Sequence, residues 1–488
     1  MHRQNLENLI KEEKDSILRS HNKSMAVVIV CLFFFLPAFI FPPSVTSAMT
    51  IGKEKEIAEE YMKAIKQSGL IIKDPIIAEL ISNVGNEIVS TLPPQPFKYS
   101  FYGFNVGNFN AFATPGANIF VNRGLIAALD NVDELAGIMA HETAHASFRH
   151  VAQLVDKSKI VNIATLAGVL AGILVGSKSD GDLGQGLAMG SLAAGQSAML
   201  TYTRGHEREA DQKGFDFITQ TGFSPTGLLT GLKKIRAADF YGGDSIPDYL
   251  KTHPGTMQRI KSLEIMLARY KNNPNKTKPA KKDYNFDMIK YRILGMNKTS
   301  KESDIIFSKL LKKDPDNPAY NYGFAMALAK QLDFDKANIY LQKALKVKLF
   351  DPLILLEIGN IDLQKGQPLK AVEVFNGIKD DPAVKTSVAY SLARAQIELE
   401  NFSEAKTNLL SLIDIPLIPF PKAYYYIAKI YSNEKNPSLT HYYLGHYYAQ
   451  IKDTKNADIH FRRSLETLTD KQKIEKANSL LKELKKKK

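Results

Sequence analysis

At 488 residues with a formal net charge of +13, the chain is long enough for two to four domains with ample core. Hydrophobic residues make up 44% and charged residues 24%, which excludes wholesale disorder and a polytopic membrane protein. The positive charge is lysine-driven and spread along the chain. It fits solubility or a weak attraction to anionic surfaces, and no arginine-rich signature makes nucleic acid a partner.

Residues 25–41, MAVVIVCLFFFLPAFIF, are the most apolar run. The run follows Arg19 and Lys23, contains Pro37, and is short for a spanning helix; the small residues Ser44 to Ala48 after it suit cleavage. We read a signal peptide over residues 1–48, with an uncleaved anchor as the alternative. The one cysteine, Cys31, lies inside this run, so cleavage leaves a chain without thiols. That suits an oxidising compartment, and equally the cytosol.

From 51 to 92 the spacing predicts two amphipathic helices, the second opened by Asp74-Pro75. Residues 97–121 change period: FKYSFYGFNV and ANIFVN are aromatic and β-branched, separated by the turn-rich NFNAFATPG. This predicts a small antiparallel sheet. Its outer strand, around Ala117 to Val121, either pairs with an extended substrate or is a plain covered edge.

The run VDELAGIMAHETAHASFRH follows, with apolar residues Leu135, Ile138, Met139 and Ala140 at helical spacing. His141 and His145 are four apart, so both imidazoles leave one face of the helix. Two neutral nitrogens so placed reach one Zn²⁺ at about 2.0–2.1 Å. Glu142 points aside from the pair, placed to hold an attacking water without being a ligand. Residues 160–200 are small and uncharged over long stretches, and predict either a lid helix pair or a membrane-touching hairpin.

A hydrolytic zinc site wants a third protein ligand and an open position. HEREAD, residues 206–211, offers carboxylates: Glu207 and Asp211 share a helical face, whereas Glu209 lies on another. HETAH together with E-x-E-A-D resembles the zinc-peptidase family that includes the HtpX-like membrane proteases and the CAAX prenyl proteases. NAFATPG at 110–116 is similar to the stretch that precedes the active-site helix there. The resemblance, over roughly residues 50–270, implies Glu207 as third metal ligand and Asp211 as the catalytic-site carboxylate that buttresses a ligand histidine. Relatives carry transmembrane helices in the place of 160–200, which keeps the membrane reading open. YLKTHPGTMQR, residues 249–259, resembles a segment of the family's exported, repeat-bearing branch. There His253 is a candidate fourth or regulatory zinc ligand, a group for developing charge, or a capping histidine. His150 and His206 read as structural or outer-sphere.

Residues 271–285 form a lysine-, asparagine- and proline-rich linker. Beyond it Ala337, Ala371 and Ala405 recur every 34 residues, as do Pro318 and Pro352, with Gly366 and Asn401 marking turns. This is the spacing of tetratricopeptide repeats, whose paired helices stack into a superhelix. The next matching alanine, Ala457, is 52 residues on, so the extra helix PKAYYYIAKIYSN breaks the register.

The expected fold is mainly α: an α+β peptidase domain (49–270) with a small antiparallel sheet, and an α-solenoid of repeats (286–484). The resemblance implies a zinc metalloendopeptidase of the HExxH gluzincin type, holding one Zn²⁺ per chain and exported to the periplasm. It implies protein quality control on unfolded or stalled polypeptides, with the repeats reaching outer-membrane assembly machinery and peripheral membrane contact besides. Two alternatives stand beside it: a chaperone or scaffold acting through its repeats with a latent protease, and an integral-membrane protease.

Overall fold

The three strands of the one described sheet run in the order β1-β3-β2. The structure, a computed structural model, describes residues 49–158, 202–241, 247–274, 284–297, 299–413, 415 and 420–486. The expected signal peptide, the 160–200 segment and residues 275–283 of the linker lie outside the described residues. No helix among the described residues is long and apolar enough to cross a membrane.

Two helices open the described chain, α1 (Ile51–Ser68) and α2 (Pro75–Val89). Asp74 caps α2 by accepting from the Ile77 amide at 3.2 Å, with Pro75 in the first turn where no amide is needed. The strands are β1 (Ser100–Phe104), β2 (Ala111–Thr114) and β3 (Asn118–Asn122). β2 and β3 form an antiparallel hairpin whose turn carries Gly116 and Ala117 at positive φ, 75° and 59°. β1 pairs with the other side of β3 and runs parallel to it. The sheet is therefore mixed, not antiparallel throughout. The connection 105–110 is long enough to carry the chain past the position β3 later fills. The strand expected at the edge, around Ala117 to Val121, is the central one. Its ladder groups are paired on both sides, so it has none left for a substrate strand.

After the short α3 (Arg123–Ala128) comes the central helix, α4 (Val132–Ser147). Asn131 caps it by accepting from the Glu134 amide at 3.0 Å, and Asp133 and Glu134 complement the dipole of its first turn. Nearly every residue from Val132 to Ala146 is buried, because α2, the sheet and two later helices surround α4. Those helices are α6 (Arg204–Thr219) and α7 (Thr226–Tyr241). A short helix of nine residues, α5 (His150–Ser158), follows α4; α8 (Asp248–Thr252) and α9 (Thr256–Asn272) close this region.

The remaining helices are α10 (Phe286–Asn297), α11 (Ser300–Lys313), α12 (Pro318–Lys330), α13 (Phe334–Val347), α14 (Pro352–Gln364), α15 (Pro368–Ile378), α16 (Lys385–Glu398), α17 (Phe402–Ile413), α18 (Pro421–Asn433), α19 (Pro437–Gln450), α20 (Thr454–Leu465) and α21 (Lys471–Lys486). The 34-residue period has a steric cause. Ala337, Ala371, Ala405 and Ala457 are all fully buried on the second helix of a hairpin. A β-carbon on Gly359 would sit 2.5 Å from the Phe375 ring, and one on Gly445 would sit 2.6 Å from the Phe461 ring. Each hairpin turns through one left-handed residue: Leu332, Gly366, Glu400, Lys435, then Lys452. The first four are 34, 34 and 35 residues apart, and Lys452 comes 17 later. Hence α18 restarts the rhythm, α19 serves two hairpins, and Ala457 falls 52 residues after Ala405.

The apolar core runs without a break from the sheet and α4 through the first repeats, and a second core begins near Ala393. Arg292 of α10 joins the two regions, its Nη2 2.9 Å from Asp74 and its Nη1 2.6 Å from Glu357. Tyr284 donates to Glu87 at 2.9 Å beside it.

In the second core His446 lies flat on Tyr424, with ring centroids 5.1 Å apart. Burial, with the Lys476 charge, pushes its pKa from the usual 6.5 down to about 4. The folded state thus binds this proton less readily than the unfolded one. The stability His446 contributes is complete above pH 6.5 and is lost as pH falls towards about 4, by roughly 3 kcal/mol at most. Melting curves from pH 7 to pH 4 are expected to show a smaller acid drop for His446→Phe than for wild type; equal drops would reject the assignment.

Candidate metal centre

The i, i+4 pair on α4 faces a carboxylate on α6 and a third imidazole just after α8. His141, His145, Glu207 and His253 are each fully buried, and one donor atom from each lies within 4.8 Å of all the others. The closest spacings are shorter. His141 Nε2 is 3.0 Å from His145 Nε2, and 3.5 Å from both Glu207 Oε2 and His253 Nδ1. Glu207 Oε1 is 3.4 Å from His145 Nε2 and 3.1 Å from His253 Nδ1. Four donors about 2.0–2.1 Å from one ion at tetrahedral angles stand about 3.3 Å apart, so this set fits a small divalent metal. Three imidazoles and one carboxylate suit a first-row transition metal better than Mg²⁺ or Ca²⁺.

Each donor is placed by its own backbone. Thr203 caps α6 by accepting from the His206 amide at 3.1 Å, which starts the helix at Arg204 and places Glu207 in its first turn. α8 is tied to the β1–β2 connection: the Tyr249 amide donates to Phe109 O at 3.2 Å, and Asn108 donates to Asp248. The Tyr202 amide donates to Thr252 O at 3.1 Å, and the Tyr249 ring stacks on His253 at 4.2 Å. Tyr202 also stacks on His145 at 3.9 Å, so two phenols wall the histidines from solvent.

Behind His141, its Nδ1 lies 3.0 Å from Asp211 Oδ1, which leaves Nε2 turned to the other donors. Arg259 donates to both oxygens of Asp211 at 2.8 Å, and its Nη1 lies 2.6 Å from Glu207 Oε2. Burial favours the neutral form of Asp211, but the charges and hydrogen bonds of Arg259 and His141 together outweigh it and hold the carboxyl at about 2. Burial works the same way on Glu207, and the His253 and Arg259 charges together hold it well below the carboxylate range. Burial and Arg259 oppose a proton on His141, yet its bonds to Asp211 and Glu207 raise it to about 9. His145 goes the other way, pushed well down by burial.

Glu142 stands apart from the donors. Its Oε1 is 3.7 Å from His253 Nε2, on the side of that ring away from the cluster. Both carboxylate oxygens are buried without a hydrogen-bond partner among the described residues, and burial raises the pKa. A buried carboxylate so exposed to desolvation is a basic one, at a place where a polar ligand would be received.

All six residues singled out in the sequence, His141, Glu142, His145, Glu207, Asp211 and His253, are gathered here. Residues 75–267, which hold every one of them, match peptidase family M48. The chain carries a family M48 peptidase domain. It is a metallopeptidase, and the buried His-His-Glu-His cluster within the matched residues fits a metal ion.

Similarity to known proteins extends past the M48 domain into the repeats. The beta-barrel assembly-enhancing protease of Escherichia coli (strain K12) is 28% identical over 369 residues, covering 73% of this chain and 72% of its own. That of Yersinia pestis is 29% identical over 365 residues, covering 72% and 74%. The mitochondrial metalloendopeptidase OMA1 of Schizosaccharomyces pombe is 28% identical over 187 residues, covering 38% and 52%.

Sequence reasoning missed three parts of this M48 site. Arg259 was only a motif neighbour of His253, and its grip on Asp211 crosses 48 residues that no spacing rule connects. Tyr202 and Tyr249 carried no signal beyond aromatic character. His150, five residues after His145, has no partner that its spacing points to; its Nδ1 lies 2.9 Å from His145 Nδ1.

Proposed function

We propose that the chain is a zinc-dependent endopeptidase of the cell envelope, with His141, His145 and Glu207 as metal ligands, Glu142 as catalytic base and His253 as a displaceable fourth ligand. The observation that carries this is the set of four buried donors within 4.8 Å of one another, with the carboxylate of Glu142 beside them lacking a hydrogen bond. Zn²⁺ in that cradle supplies Lewis acidity, activating water and polarising a scissile carbonyl. Glu142, made more basic by burial, takes the proton of the attacking water and delivers it to the leaving amine. Asp211 keeps the His141 proton on Nδ1, and Arg259 keeps Asp211 ionised.

A hydrolytic zinc site keeps an open position, whereas four protein donors close it. His253 sits on a segment separate from the other three donors, so withdrawing it opens the site without dismantling it. This favours a resting enzyme that is latent, and it leaves room for a scaffold role of the repeats while the site is closed.

Substrate class follows the relatives and the repeats. Two of the relatives are named for β-barrel assembly, and stacked helical hairpins hold extended polypeptide on their concave face. We read the substrates as unfolded or stalled outer-membrane proteins, the place of action as the periplasm after removal of residues 1–48, and the repeats as the contact with the assembly machinery.

Zinc content and casein cleavage of the full chain test the reading. One zinc per chain is expected, with His253→Ala keeping its zinc and cleaving casein about tenfold faster than wild type, since a closed position suppresses turnover. Absence of zinc from the wild type would reject the metal assignment, and slower cleavage by His253→Ala would reject the latch.

A further inference from the structure

We propose that His150 is a positioning residue that fixes the His145 ring through a hydrogen-bond chain Glu209–His150–His145, the counterpart of Asp211 behind His141. The inference rests on the zinc reading above and concerns a residue outside the donor set.

Helix α4 ends at Ser147, and Arg149 turns the chain through a left-handed conformation with φ of 54°. Buried Glu54 of α1 fixes that turn by accepting from Arg149 Nε at 2.6 Å. The turn brings His150, fully buried, underneath His145. Its ring is held between the faces of His206, 4.3 Å away, and Phe148, 5.4 Å away. Its Nδ1 meets His145 Nδ1 at 2.9 Å, and its Nε2 meets Glu209 Oε2 at 3.1 Å.

The proton count then permits one arrangement. His145 turns Nε2 to the other donors, so as a neutral ligand it carries its proton on Nδ1. Only one proton fits between two Nδ1 atoms at 2.9 Å, so His150 must accept there. The His150 proton is thereby placed on Nε2, where the Glu209 carboxylate accepts it. Glu209 stands at the rim, 60% exposed, and lies off the face that Glu207 and Asp211 share. A carboxylate thus sets the tautomer of both histidines on α4: directly for His141, and through a second ring for His145. Outer partners of this kind tune how firmly a metal is held.

Two amides of different reach separate this role from packing. In His150→Asn the Oδ1 falls where Nδ1 was and still accepts from His145. In His150→Gln the amide reaches to the Nε2 place and leaves the His145 N–H without an acceptor. Zinc affinity, read by competition with a chromogenic chelator, is expected to fall about 10–100-fold in His150→Gln and to stay within about threefold of wild type in His150→Asn. The absorption bands of the Co²⁺-loaded protein should shift in the Gln variant alone. Equal losses in both variants, or wild-type affinity in His150→Gln, would overturn the chain of bonds. Should His150→Gln not fold, Glu209→Ala decides at the exposed end: a loss of about threefold or more supports the inference, and unchanged affinity overturns it. A wild type that binds no zinc rejects the metal reading instead, so the two failures are distinguishable.

Discussion

Glu142→Gln is expected to lower casein cleavage at least about 10³-fold while leaving one zinc per chain, because general acid–base catalysis contributes about 10²–10⁴-fold. The amide keeps the shape of the side chain and loses only the basic oxygen. Zinc should stay because Glu142 is no donor; its nearer contact is the far nitrogen of His253, at 3.7 Å. The same substitution should raise the melting temperature of the metal-free protein at pH 7. Burial lifts the Glu142 pKa above its unfolded value, so the folded state binds this proton more tightly than the unfolded one. Its stabilising contribution is present at acid pH and lost as pH rises through the folded pKa, which makes the ionised group a cost at neutrality. Glutamine removes that cost. Residual cleavage above a few per cent of wild type would mean that another group takes the proton, and loss of zinc would mean that Glu142 holds the metal.

How much of this was legible follows from where each residue's partners lie in the chain. His141, Glu142 and His145 share one helix, and i, i+4 geometry is written into the sequence. Glu207 and Asp211 repeat the device on a second helix. The repeats were legible because their period is steric: a buried alanine and a facing small residue recur every 34 residues. Their turns were read less well. The sequence points to Asn401, yet the left-handed residue is Glu400, since helix packing on both sides imposes the turn whatever side chain stands there. The order of the strands was beyond reach because the hairpin signal of β2 and β3 says nothing about which side β1 joins. Arg259 was hidden for a similar reason. Its value lies in two buried carboxylates contributed by another helix, and an arginine between Gln258 and Ile260 looks like any surface residue until α9 docks on α6.

Gly137→Leu is expected to cost at least about 4 kcal/mol of stability and to take the metal site with it, a size that single changes reach only by a specific mechanism. Gly137 lies one turn before His141, where α4 crosses α7. A β-carbon there would stand 2.3 Å from the Leu228 amide nitrogen and 2.5 Å from Leu228 Cα. On the facing helix, a β-carbon on Gly227 would stand 2.0 Å from Asp133 O. Two backbones meet at this crossing, so no flexible side chain can yield, and α4 or α7 has to shift bodily. A shift of α7 uncovers Leu228, Leu232 and Ile235, all nearly fully buried. A shift of α4 instead drives it towards α6, where a β-carbon on Gly214 would already lie 3.0 Å from the His141 amide nitrogen. That second shift also breaks the His141–Glu207 spacing of 3.5 Å. The matched control is Gly377→Ala on α15, where an added β-carbon meets nothing within 4 Å and helix propensity alone predicts a gain of about 0.5–1 kcal/mol. Thermal melts and zinc content of the two variants check the pair. A Gly137→Leu protein that melts near wild type with full zinc would show that the crossing adapts, and the account of how α4 is held would then be wrong.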